Sequence, residues 1–157
     1  MKNGEYYRNG EYYMSDKITG RILGVDYGDV RTGLAVSDLS GTLASGIGTI
    51  KPGGMRNTAE AVADEADSRG AAGIVVGLPK NMDGSEGFRA ETVRAFVALL
   101  QEYTTLPVVL VDERLSTVVA HTYLSLTDTR GKKRKDRVDT LSAEIILQNY
   151  LDAREKA

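Results

Sequence analysis

The sequence predicts an α/β protein built on a mixed five-stranded sheet, with the first three strands antiparallel, the next two parallel, and helices on both faces. Three observations carry this. The stretch Arg21–Asp38, RILGVDYGDVRTGLAVSD, reads as two strands around a tight glycine-bearing turn. Two later runs, Gly73–Gly77 (GIVVG) and Val108–Val111, are short and wholly apolar, as strands buried on both faces are. Segments of helical period separate these runs. Hairpin-linked strands must be antiparallel, whereas strands joined through helices run parallel by right-handed crossovers.

One domain is expected of 157 residues, since domains cluster at roughly 100–150 residues. With 41% hydrophobic and 27% charged residues, the chain can build a real core. The net charge of −2 excludes a globally basic nucleic-acid binder, so any polyanion contact must come from a local patch. The absence of Cys removes disulfides, thiolate metal sites and thiol nucleophiles. With a single His, His121, zinc chemistry is not expected, and a lone His is more often a packing or surface residue than a catalyst. No apolar run approaches the roughly 20 residues of a membrane span, and the N-terminus lacks a signal-peptide core. The expectation is a soluble, cytoplasmic protein with no membrane partner.

Taken in order, the chain opens with a near-perfect duplication, Asn3–Arg8 (NGEYYR) and Asn9–Met14 (NGEYYM). Two copies are too few for a repeat architecture. Residues 1–20 are read as a flexible extension, with Met14 an alternative start, and 21–154 as a single domain. Within the hairpin, Ile22, Leu23 and Val25 lead to Asp26, and Gly28 and Gly33 flank the corner Asp29–Thr32. A third strand is expected at Gly46–Ile50, closed by the breaker Lys51–Gly54. Asn57–Arg69 shows helical spacing, and Gly70 stands where a helix stop belongs. After the GIVVG strand comes the loop Leu78–Ser85, then a helix over Gly87–Tyr103 with Ala90, Val93, Phe96, Val97 and Leu100 inward. The strand Val108–Val111 runs into Asp112-Glu113-Arg114. Ser116 is a good N-cap for a helix reaching about Leu126. A polar linker, Thr127–Lys135, precedes the last helix, expected from Arg137 to Arg154 with Val138, Leu141, Ile145 and Leu151 along one side.

Two strands end in acid, and Asp139 stands at the expected start of the last helix. The carboxyl ends of neighbouring parallel strands share one edge, where α/β sites form. Converging carboxylates cannot all stay ionised unless a cation sits among them. Oxygen-only ligands favour Mg²⁺ or Mn²⁺, and such sites often hold two ions about 3.5–4 Å apart. Each acid also has a plainer reading. Asp26 is a common turn residue. Asp139 can serve the helix start. Glu113 can be a solvated partner of Arg114 or Lys80. Asp112 and Glu113 should point to opposite faces, and spacing alone does not choose between them.

Four stretches in order, GVDYGDVRTGLAVSD, VVGLPKNMDGSEG, VDERLST and RVDTLSAEIILQNYL, resemble the YqgF/RuvX family. These are RNase H-like nucleases related to Holliday junction resolvases and also described as pre-16S rRNA nucleases. The likeness spans Arg21 to about Asp152. It implies an RNase H-like fold and a catalytic, metal-binding triad of Asp26, Glu113 and Asp139. It further implies divalent-metal-dependent hydrolysis of a phosphodiester by activated water, here in 5′-end processing of pre-16S rRNA. Ser142 departs from the Ala common in the family.

Supporting residues follow from charge and place. Lys132, Lys133, Arg134, Lys135 and Arg137 concentrate positive charge just before Asp139, and are read as phosphate contacts rather than a solvated loop. Arg31 in the turn, Lys80 and Asn81 after a strand, and Arg114 beside Glu113 are further nucleic-acid-binding candidates. The expected partner is structured RNA or branched DNA, and a homodimer is compatible. Three readings compete: a resolvase acting on branched DNA, a non-catalytic nucleic-acid-binding module in transcription, and an actin-like ATPase lobe, whose phosphate loop also begins with a strand ending in Asp-x-Gly.

Overall fold

The computed structural model describes the backbone of residues 5–8, 11–14, 18–113 and 131–155, and the side chains of 18–113 and 138–154. The strands are β1 (Glu5–Arg8), β2 (Glu11–Met14), β3 (Ile22–Asp26), β4 (Thr32–Ser37), β5 (Ala44–Ile50), β6 (Gly73–Leu78) and β7 (Val108–Asp112). The helices are α1 (Met55–Ser68), α2 (Phe88–Tyr103) and α3 (Gly131–Glu155). They form one sheet in the order β2-β1-β7-β6-β3-β4-β5. The expected five-stranded unit is present: β3, β4 and β5 pair antiparallel, and β3–β6 and β6–β7 pair parallel.

The N-terminal segment differs from expectation. Its two strands pair with each other and add β1 antiparallel to β7, making a seven-stranded sheet. The physical reason lies in the duplication itself. Each Tyr-Tyr pair has strand propensity, and Asn9-Gly10 between the copies is a hairpin signal. The outer edge of β7 offers unpaired backbone groups, which is a template for added strands.

The central strands read as continuous apolar runs because both faces are covered. Leu23, Val25, Ile74, Val76 and Leu110 pack with Val62, Ala66, Val93, Phe96 and Leu100 of α1 and α2. Their alternates Ile22, Val75 and Val109 pack with Ala143, Ile146, Leu147, Tyr150 and Leu151 of α3. Helix α1 stops as Gly70 indicates: Gly70 has φ +66°, and Ala71 N–H donates to the Ala66 carbonyl at 2.9 Å, a Schellman closure.

Two expectations about the last helix are corrected. It begins at Gly131, not near Arg137, because the Lys/Arg run consists of good helix formers. Asp139 therefore lies in its third turn rather than its first. The inward face is also shifted. Leu141 and Ile145 are only partly buried, with Val138 in a small separate cluster. The sheet is covered instead by residues at 143, 146, 147, 150 and 151, and Ser142 is fully enclosed beside them. Small residues allow this close approach: a Cβ on Gly24 of β3 would lie 2.8 Å from Leu147 Cβ. The expected helix over Ser116–Leu126 lies outside the described residues.

Candidate active site

The parallel pairing of β3, β6 and β7 brings their carboxyl ends to one edge. Asp26 closes β3, and Glu113 follows β7, its N–H donating to the Leu78 carbonyl at 3.2 Å. Between them runs β6, with Gly77 at the crossing point. The Glu113 carboxylate lies over Gly77, so closely that a Cβ there would overlap its Oε2 and Ile146 Cδ1. The bare glycine lets Glu113 reach across and hydrogen-bond the Asp26 carboxyl. This resolves what spacing left open: Glu113, not Asp112, faces Asp26.

Helix α3 supplies the third acid. Gly33 on β4 pairs in register with Asp26, and a Cβ on Gly33 would overlap the Asp139 carbonyl. The helix backbone therefore rests on β4 beside Asp26, near enough for the Asp139 charge to act on it.

The electrostatics follow from this crowding. Burial first, then the charges of Glu113 and Asp139, push Asp26 well above the usual carboxylate range. Burial also raises Glu113, with Arg89 and the Asp26 hydrogen bond opposing the rise. Asp139 is met by Arg31, Nε to Oδ2 at 3.5 Å, with both side chains largely enclosed. Among the described residues, no three Asp, Glu, His or Cys side chains already stand as a ligand cage. The acids converge on one edge, with a hydrogen bond between two of them and a guanidinium on the third.

The other predicted residues fall into three groups. Arg31 is at the site, facing Asp139. Lys80 and Asn81 lie on the loop after β6, where Lys80 helps hold Glu86 ionised. Asn81 shapes that loop: its amide donates to Ser85 Oγ at 3.0 Å and its N–H to the Ser85 carbonyl at 2.8 Å. The side chains of Arg114, Lys132, Lys133, Arg134, Lys135 and Arg137 lie outside the described residues.

Sequence reasoning missed Arg89, whose charge reaches both Asp26 and Glu113. It also missed a cleft of about 300 Å³ beside Asp26, lined by Tyr27, Gly28, Asp29, Phe88, Arg89, Thr92 and Val93. A signal was available. Phe88 falls off the inward face of α2, so the core does not account for it.

A family model described as "RuvX: Holliday junction resolvase" matches residues 20–153. The chain belongs to this family. Relatives named "Putative pre-16S rRNA nuclease" agree over most of its length. The RuvX relative from Thermoanaerobacter pseudethanolicus is 43% identical over 136 residues, covering 86% of this chain and 98% of its own. That from Halothermothrix orenii is 45% identical over 136 residues, covering 87% and 97%. That from Clostridioides difficile is 44% identical over 135 residues, covering 86% and 96%. Among solved structures, the Thermus thermophilus RuvC bound to a Holliday junction substrate superposes with a TM-score of 0.55 at 14% identity, over 88% of this chain and 97% of that one. The RuvX chain thus shares the RNase H-like fold of the RuvC resolvases. No helix among the described residues is long and apolar enough to cross a membrane.

Proposed function

We propose that this chain is a divalent-metal-dependent nuclease that hydrolyses phosphodiester bonds of precursor 16S rRNA, in 5′-end processing. The observation that carries the reading is the hydrogen bond between Asp26 and Glu113 at a strand edge, with Asp139 beside them. Two buried carboxyls in contact are expensive as a pair of anions, and a proton is one way to relieve them. A hard cation is the other, and an all-oxygen donor set suits Mg²⁺ or Mn²⁺. Asp26, Glu113 and Asp139 would hold one or two such ions. When bound, the metal supplies a nucleophilic water at neutral pH and neutralises charge on the phosphoryl oxygens.

The chain's own groups do the rest. To hold an ion, Asp26 and Glu113 would both have to stand as carboxylates. Arg31 holds Asp139 against the strand edge and adds positive charge where a phosphate would arrive. The basic run from Lys132 to Arg137 leads along α3 towards Asp139 and draws the polyanion in. The choice of ribosomal precursor follows the names of the relatives at over 40% identity.

A second reading, cleavage of branched DNA, is favoured by the family model's own description. The two are separated by incubating the protein with structured 16S precursor and with a four-way DNA junction, each in Mg²⁺ and in Mn²⁺. Faster cleavage of the precursor is expected. Cleavage of the junction alone would reassign the substrate.

A further inference from the structure

We propose that the cleft beside Asp26 is a subsite for one nucleotide next to the scissile phosphate, its base stacked on Phe88 and its phosphate paired with Arg89. This rests on the nuclease reading and extends it to how the strand is gripped.

Phe88 is 79% exposed, at the first residue of α2. An aromatic ring left in water at the lip of a cavity is a stacking surface, because every nucleobase offers it a π-face. The cleft, about 300 Å³, is at the low end for small-ligand sites. Its charges are polarised. Asp29 lies along one wall and repels phosphate, while Arg89 attracts it towards the acids. No described side chain caps the first-turn N–H groups of α2, and the dipole of its 16 residues adds positive potential there, opposed by one acid of that turn, Glu91. Thr92 Oγ1 donates to the Phe88 carbonyl at 3.0 Å and so fixes that turn. Behind the cleft, Tyr27 stacks on Phe96 at 4.3 Å between centroids, giving a rigid floor. The rigid floor, exposed ring and cation next to the acids favour an unpaired nucleotide over a duplex, whose bases are already stacked.

The chain contains no Trp, so Phe88→Trp introduces a single indole reporter. Binding is measured without divalent metal, using oligouridylate, oligothymidylate and an abasic strand of the same length. The two base-bearing strands quench the indole and the abasic strand does not. Phe88→Ala weakens oligouridylate binding about tenfold and leaves abasic binding unchanged. Arg89→Gln weakens both and lowers the salt slope by about one. Equal quenching by base-bearing and abasic strands, or unchanged affinity in Phe88→Ala, overturns the subsite. Metal-dependent cleavage is assayed in parallel on the parent. Retained cleavage with an unresponsive indole removes the subsite and leaves the nuclease standing. Base-dependent quenching in a chain that cleaves nothing sustains the cleft and removes hydrolysis. No binding of any strand by a chain that also cleaves nothing overturns both.

Discussion

Asp26 and Glu113 hydrogen-bond each other across an intervening strand, over the bare backbone of Gly77. That contact sets the chemistry of the edge, and the first prediction tests its cost. Without metal, Asp26→Asn removes one member of a crowded acidic group and keeps its shape. The variant should melt about 2–4 °C above the parent, the shift that about 1 kcal/mol gives in a chain of this size. The gap depends on pH. Both acids are raised above their ordinary values, so the folded state keeps a proton that the unfolded chain has lost. Their contribution is full below the ordinary carboxylate range and fades as pH rises through the raised values. The parent's deficit therefore widens towards alkaline pH and closes on acidification. Asp38 and Glu86 are shifted downwards and act oppositely, but the parent-against-variant difference cancels them. Thermal melts across a pH series in chelator supply the test, and a gap that grows on acidification contradicts it.

Gly77→Ala places a methyl group where the Glu113 carboxylate and Ile146 Cδ1 already are. Overpacking of this kind costs about 1–3 kcal/mol. Because the displaced group is an acid of the site, cleavage should fall much further than the urea midpoint suggests. A variant that loses stability but cleaves normally at low temperature would show that Glu113 need not cross β6.

Arg31 and a cation compete for Asp139, through an ion pair at 3.5 Å. Arg31→Gln should therefore lower the metal concentration giving half-maximal cleavage, while weakening binding of the substrate. Isothermal titration with Mn²⁺ in the absence of nucleic acid reads the first effect by itself. Weaker metal binding in the variant would mean that Arg31 organises the site rather than competing in it.

Ser142 is buried in α3 against the sheet, and its hydroxyl has no hydrogen-bond partner among the described residues. Ser142→Ala removes an unpaired buried polar group and installs a better helix former. Stability should rise by about 1 kcal/mol, read from the urea midpoint, with cleavage unchanged. A drop in stability would imply a partner for the hydroxyl.

Much of this arrangement is legible in the sequence. Local pattern is enough for strands whose two faces are both buried, so β3, β6 and β7 follow from apolar runs, and the convergence of Asp26 with residues 112–113 follows from two of those runs ending in acid. The choice of Glu113 over Asp112 was not legible, because it depends on the empty face of Gly77 one strand away. The early start of α3 was hidden by its charge: a Lys/Arg run reads as a loop until its helix propensity is weighed. The tyrosine hairpin looked detached because its partner, the edge of β7, is some hundred positions distant in the chain. Phe88 and Arg89 escaped notice for a related reason. A cleft is a property of packed elements, and no periodicity announces it.

The most direct test is cleavage of structured 16S precursor at saturating Mn²⁺ by the parent and by Asp26→Asn, Glu113→Gln and Asp139→Asn, each checked for an intact fold. Loss of carboxylates that hold the metal removes several kcal/mol of charge stabilisation, so each variant should cleave about a hundredfold more slowly or worse. Parent-like rates in any one of the three would show that the acid in question does no chemistry, and parent-like rates in all three would leave the strand edge without a role in hydrolysis.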